Sequence, residues 1–265
     1  MTINHKHKFA EQVALAKLIR QPAPSIADTQ TRCKAVYDHV LGNSRCIEKP
    51  DFQTVSPADL GLLFQVTDEL FFDGLVGKLC EKSAARPLTF RLSTRMTSTG
   101  GMTTMQRRAG SFDRRFEFEI AIATTPLFET FRASDTASVG GVKCENRLHA
   151  LQRIMEHEMV HLIELLMTND SNCAAKPFKR IVRNFFGHTE SKHQLLTPND
   201  TARNRLGISP GDRVRFQCGQ QTLNGILHRV TKRATVLVQD SNGTRYDDGC
   251  KYSKYYVPLQ QLRRA

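Results

Sequence analysis

Leu151-Gln-Arg-Ile-Met-Glu-His157-Glu158-Met-Val-His161-Leu-Ile-Glu-Leu-Leu166 carries the pattern His-Glu-x-x-His inside a run that reads as one helix. Two histidines at i and i+4 project from one helix face about one turn apart, so both imidazoles can reach a single metal ion. Zinc accepts neutral imidazole, and three protein ligands leave a fourth position open. Glu158 lies beside the ligands rather than among them, where a carboxylate can take a proton. Leu148, Leu151, Met155, Leu162 and Leu166 recur at spacings that pack one face. The competing reading is an amphipathic helix with two incidental histidines on its polar side. The rarity of the pattern, on the order of one chance occurrence in a hundred, and its helical setting favour the metal.

The rest of the chain sets bounds on what surrounds this motif. Its 265 residues allow one large domain or two smaller ones. The formal charge of +12 points to acidic partners, of which nucleic acid is the most abundant. Seven cysteines are widely and irregularly spaced without a Cys-x-x-Cys pair, which excludes a zinc ribbon and a thioredoxin-type motif. The first ten residues lack the apolar core of a secretory signal, and no run approaches 18 apolar residues. A reduced, intracellular, soluble setting with no membrane partner is expected.

Outward from the motif, the periodicity predicts helices over 9–20 and 29–40, and residues 1–50 read as an N-terminal helical extension. Ser56-Pro57-Ala58-Asp59 opens a helix, with Ser as N-cap and Pro at the first helical position. Alternation predicts strands over 88–93 and 116–122, the latter with Phe116, Phe118, Ile120 and Ile122 on one face. A Gly-rich hairpin is expected over 97–111 between them, and a chain break at Gly140-Gly141. After the motif helix, 168–172 is a loop and 176–186 a second helix, ended by Gly187. Residues 198–211, rich in Pro, Gly and polar side chains, read as a linker. Residues 212–265 then show short strands separated by turns, among them Ser241-Asn242-Gly243, and suggest a small barrel of the SH3 kind. From Asp200 onward there are 12 Lys/Arg against 5 Asp/Glu, so +7 of the net charge lies there. Arg229, Lys232 and Arg233, with Tyr246, Tyr252, Tyr255 and Tyr256 interleaved, are the candidate nucleic-acid contacts. The tyrosines serve equally well as core and cross-strand pairs. Arg107-Arg108 and Arg114-Arg115 are the next candidates.

The order helix, strand, Gly-containing hairpin, strand, His157-Glu158-Met-Val-His161, loop and Phe-bearing helix resembles the SprT-like domain. This is the zinc metalloprotease domain of bacterial SprT proteins and of Spartan-type proteases that cut proteins crosslinked to DNA. The resemblance covers roughly Ser56 to Leu196, within a domain read as residues 51–197, and implies an α+β, zincin-like domain of helices and a small sheet, followed by an all-β SH3-like barrel. It implies Zn2+ as cofactor, His157 and His161 as ligands, Glu158 as general base and protein or peptide as substrate. It also implies DNA as a partner, in the bacterial cytosol or at the nucleoid. The family takes its third zinc ligand from a His-Gly pair four residues before a Phe. Phe178 matches that Phe, and the corresponding positions read Cys173-Ala174-Ala175. Cys173 stands in that place, at a helix N-terminus, which favours thiolate. The alternative ligand is His188 of Gly187-His188-Thr189, at the far end of the same helix, with His193 five residues on. Glu164, seven residues past His157 and so on its face, is placed to orient a ligand histidine or to stand in solvent. A second reading makes the barrel primary, as a nucleic-acid- or protein-binding module carrying a catalytically weak zinc domain.

Overall fold

Proline and capping residues set the helix boundaries in the computed structural model, which describes residues 3–107, 115–134 and 136–265, with side chains from Phe9 onward. Arg108, Arg114 and the last four residues of the expected 97–111 hairpin lie outside the described residues. The chain is mixed α+β and divides into two compact units, Met1–Leu195 and Leu196–Ala265.

In the first unit, helices α1 (Ile3–Arg20) and α2 (Ile26–Asn43) are separated by a segment in which Pro22 and Pro24 cannot donate helical hydrogen bonds. Helix α3 (Pro57–Phe72) starts on a reciprocal capping box. The Ser56 hydroxyl accepts from the Asp59 amide, and the Asp59 carboxylate accepts from the Ser56 amide. Helix α4 (Leu75–Ser83) has no cap of its own, so buried Asp68 on α3 accepts from the amides of Val76 and Gly77 at 3.0 and 2.7 Å. Strands β1 (Thr89–Ser93), β2 (Gly101–Gln106) and β3 (Glu117–Ala123) form a sheet of order β1-β3-β2, with β1 parallel and β2 antiparallel to β3. Phe118, Ile120 and Ile122 are buried as alternation expects, while Phe116 precedes the strand and is half-buried. Helix α5 (Thr124–Ala133) follows. Strands β4 (Ala137–Val139) and β5 (Val142–Cys144) then form a hairpin around Gly140 and Gly141, both at positive φ. Helix α6 (Arg147–Thr168) contains the His-Glu-x-x-His motif, and α7 (Lys176–Phe186) ends on Gly187 in the left-handed conformation.

Described residues of α1 and α2 join the core of the first unit. Leu15, Ile19, Val36, Val40 and Ile47 belong to the same buried cluster as Leu148, Leu151 and Met155 of α6. Helix α1 packs on α4, and α2 packs on α3 and α6. The physical reason is that α6 is buried around most of its circumference, so one small sheet cannot cover it, and the N-terminal helices cover the remainder.

The second unit begins with a helix where the composition reads as linker. Thr197 and Asp200 form a capping box before α8 (Pro198–Leu206), Pro198 takes the first position, and Gly207 closes it. Ala202 and Ile208 are fully buried with Val214, Leu227 and Val236. Strands β6 (Arg213–Cys218), β7 (Gln221–Val230), β8 (Ala234–Arg245), β9 (Lys251–Val257) and β10 (Arg263–Arg264) form one antiparallel sheet of order β10-β6-β7-β8-β9. The outer strands β9 and β10 do not pair with each other, so among the described residues the sheet does not close into a barrel. Ser241-Asn242-Gly243 is not a hairpin turn either. It is looped out within β8, where Gln239 and Thr244 both face Tyr252 and the Asp240 carboxylate accepts from Asn242 N at 2.9 Å. No described helix is long and apolar enough to cross a membrane.

If α1 completes the core, Leu15→Ala removes a fully buried side chain and destabilises the protein by roughly 2–5 kcal/mol. Urea unfolding followed by circular dichroism measures this; a loss below about 0.5 kcal/mol would show that α1 does not complete the core.

Candidate metal centre

Helix α6 places the centre. Asn146 caps it by accepting from His149 N at 2.9 Å, and from Arg147 to Leu166 most side chains are buried. His157 and His161 fall on the half-buried strip that remains. Their Nε2 atoms stand 3.2 Å apart, and Phe178 of α7, fully buried, lies against both rings with centroids 4.8 and 4.6 Å away. Burial lowers the pKa of both imidazoles, to about 3 for His157, where the neighbouring His161 adds to the effect, and to about 4 for His161. Both rings are therefore neutral at ordinary pH, the form in which imidazole ligates a metal.

The loop between α6 and α7 fixes the orientation of His161. Its Nδ1 lies 2.6 Å from Ser171 Oγ, and that hydroxyl donates to Glu164 Oε2 at 2.7 Å. Glu164 also accepts from Asn172 N at 3.3 Å. Because the hydroxyl proton is committed to the carboxylate, Ser171 Oγ accepts from His161, which puts the ring proton on Nδ1 and leaves the Nε2 lone pair towards His157. Glu164 thus acts on the histidine through Ser171, a residue that sequence reading overlooked. The only sequence signal for Ser171 is its place in the short loop after the motif. Asn172 then shapes the turn, its side chain accepting from Ala174 N at 2.9 Å and its carbonyl from Ala175 N at 2.9 Å. This turn brings Cys173 back to the histidines: one ligand atom from each of His157, His161 and Cys173 lies within 4.8 Å of the others.

These residues fit zinc. Nitrogens each 2.0–2.1 Å from a tetrahedral ion are separated by about 3.3 Å, close to the spacing here, and two nitrogens with a thiolate form an acceptable catalytic donor set. Without a metal the same spacing lets His157 Nε2–H donate to the His161 Nε2 lone pair at 3.2 Å; zinc would take both lone pairs instead.

Glu158 points off the ligand strip towards the sheet and is 4% exposed. Thr103 Oγ1 on β2 is 2.8 Å from Glu158 Oε2 and 3.0 Å from the Glu158 carbonyl oxygen, so the hydroxyl donates to one or the other. Burial pushes the Glu158 carboxyl up to about 7, with Thr103 opposing. A Cβ on Gly101 would stand 2.7 Å from Glu158 Cγ and Oε1, so β2 approaches this close only because residue 101 is glycine. The Gly100-Gly101 pair at the start of a strand was the available signal for that approach.

His188 is not in the cluster. It is 2% exposed, and its Nε2 lies 2.9 Å from Glu156 Oε2, which also accepts from Arg153 Nη1 at 2.9 Å. The reason is geometric: Cys173 precedes α7 and His188 follows it, with eleven helical residues between. Burial raises the Glu156 pKa, but Arg153, His188 and Gln152 outweigh it and hold the carboxyl below its usual range. Gln152 also donates to the Cys33 carbonyl at 3.0 Å, tying this polar group to α2. His193 sits beside Gly100, its Nδ1 accepting from Leu195 N at 3.3 Å, and is likewise outside the cluster.

In the second unit Arg229, Lys232 and Arg233 are exposed around the β7–β8 turn. Of the four tyrosines, Tyr246 and Tyr252 pack edge-to-face at 5.5 Å and Tyr255 packs on Phe216 at 5.4 Å; Tyr256 alone of the four is exposed. No protein-family model, no curated protein and no solved structure matches the chain.

Removing the Ser171 or Glu164 oxygen frees the His161 ring, so Ser171→Ala and Glu164→Ala should each weaken zinc binding roughly 10–100-fold. Cys173→Ser should weaken it more than His188→Ala does. Competition with a chromogenic chelator gives these affinities; unchanged affinity in all the loop variants would remove the loop from the site.

Proposed function

We propose that the chain is a zinc-dependent peptidase of the SprT-like, zincin type. The observation that carries this reading is the convergence of His157, His161 and Cys173 beside a buried Glu158 that is not itself in the ligand cluster. Zinc bound there would polarise a scissile carbonyl and lower the pKa of water. The protein's own residues supply the rest. Ser171 and Glu164 hold His161 with Nε2 forward, and Phe178 fixes both rings. Glu158 takes a proton and passes it to the leaving amine, a task suited to a carboxyl that burial has brought near neutrality. Among the described residues strand β2 ends its sheet, with one edge of Gly101–Gln106 unpaired, where an extended peptide can pair alongside Thr103 and Glu158.

Arg229, Lys232 and Arg233 support an association with DNA or another polyanion, in a bacterial cytosolic or nucleoid setting. They make no ion pair among the described residues, and Tyr256 is exposed one strand from Thr235, the register partner of Arg229. This same surface is what favours the second reading, a nucleic-acid- or protein-binding module in which the zinc domain is catalytically weak.

Hydrolysis of an unstructured protein such as casein by the zinc-loaded chain separates the two. On the peptidase reading, Glu158→Gln lowers the rate by roughly 10²–10⁴ while stoichiometric zinc is retained. Residual activity within tenfold of the parent removes Glu158 from the mechanism. A zinc-loaded parent that binds DNA and cleaves nothing favours the module.

A further inference from the structure

The exposed side of α7 carries a feature that peptide hydrolysis does not use. Lys176, Lys179, Arg180 and Arg183 occur at i, i+3, i+4 and i+7 and share one helix face, opposite buried Phe178, Ile181, Val182, Phe185 and Phe186. All four cations are exposed, and none makes an ion pair among the described residues. A cleft of about 670 Å³ runs along this face, with residues 188–192 forming its other wall and adding Lys192. That wall is built in place: Gly140 O accepts from the amides of Thr189 and Glu190, and Gly140 N donates to Lys192 O at 2.9 Å. Five cations therefore line one cleft against a single carboxylate, that of Glu190. A concave surface lined by one sign of charge focuses its field and draws in an oppositely charged partner.

We infer that this cleft binds the sugar–phosphate backbone of a nucleic acid. The four α7 cations span about 10 Å along the helix, over which one strand of a duplex presents about three phosphates at 3.4 Å each. No large hydrophobic side chain is exposed on α7 or over 188–192; Phe9, Val13, Ile26, Leu70, Met102 and Tyr256 all lie elsewhere. A lipid surface would find nothing to bury there, and bases would find no aromatic ring to stack on. Recognition is therefore of phosphate, without regard to sequence. The helix involved also holds Phe178 against His157 and His161, so bound nucleic acid sits on the element that supports the metal centre.

The inference does not depend on peptide hydrolysis, because binding is read without substrate. Fluorescence anisotropy of a short labelled DNA duplex with the full zinc-loaded chain, over a range of salt concentrations, is the test. Neutralising Lys179, Arg180 and Arg183 together to Gln should weaken binding by about tenfold or more and reduce the slope of log K against log salt by about 2.7. Lys179→Arg with Arg180→Lys and Arg183→Lys should keep the parental slope, which separates lost charge from a disturbed helix. Zinc content should stay stoichiometric in both variants. Unchanged affinity and slope in the Gln variant overturn the inference. Tighter binding of polyglutamate or of phosphatidylserine vesicles than of the duplex overturns the partner class in favour of an acidic protein or a membrane.

Discussion

The burial of α6 is the constraint from which the rest of the first unit follows. A helix covered on nearly every side cannot leave its polar groups to solvent, so each needs a partner from a neighbouring element. Arg147 donates to the Phe52 carbonyl at 2.7 Å, and Gln152 to the Cys33 carbonyl. Arg153 forms an ion pair with Glu156, and His188 Nε2 lies 2.9 Å from the same carboxylate, where the end of α7 meets α6. Glu158 has Thr103, and His161 has Ser171. Beyond these pairings the Nε2 atoms of His157 and His161 meet each other at 3.2 Å with Cys173 beside them, a donor set that zinc accepts.

The same constraint divides labour between the two carboxylates that flank His157. Glu156 is fully buried but has a guanidinium and an imidazole at hydrogen-bond distance, so it stays charged and serves as a structural anchor. Glu158 is buried against a hydroxyl alone, so its proton affinity rises towards neutrality. Residues two apart on one helix thus acquire opposite chemistry from what each faces. A general base needs the second environment.

Much of this was legible in the chain because it depends on local pattern. The motif helix, the cap at Ser56, the strand through Phe118, Ile120 and Ile122, the break at Gly140-Gly141 and the stop at Gly187 all rest on short-range spacing or on backbone conformation. Capping signals were also present where composition misled: Thr197-Pro198-Asn-Asp200 is a helix start, and the polar run after it hid α8. Relations made only by tertiary packing were not legible. Thr103 reaches Glu158 across 55 positions, His188 reaches Glu156 across 32, and the α1 and α2 residues that complete the core come from over a hundred positions upstream. Cys173 could be placed beside the histidines only by analogy; the turn at Asn172 that delivers it depends on hydrogen bonds that no spacing rule specifies. The expected closed barrel failed for a related reason, since strand count and alternation do not determine whether the outer strands meet.

X-ray absorption spectroscopy at the zinc edge, on the chain purified with its metal, addresses the centre most directly. The geometry here predicts one zinc per chain with two nitrogen scatterers at about 2.0–2.1 Å and one sulfur at about 2.3 Å, the sulfur disappearing in Cys173→Ser. A first shell of nitrogen and oxygen alone, or a protein that retains no stoichiometric zinc, would contradict the assignment of His157, His161 and Cys173 as a metal site.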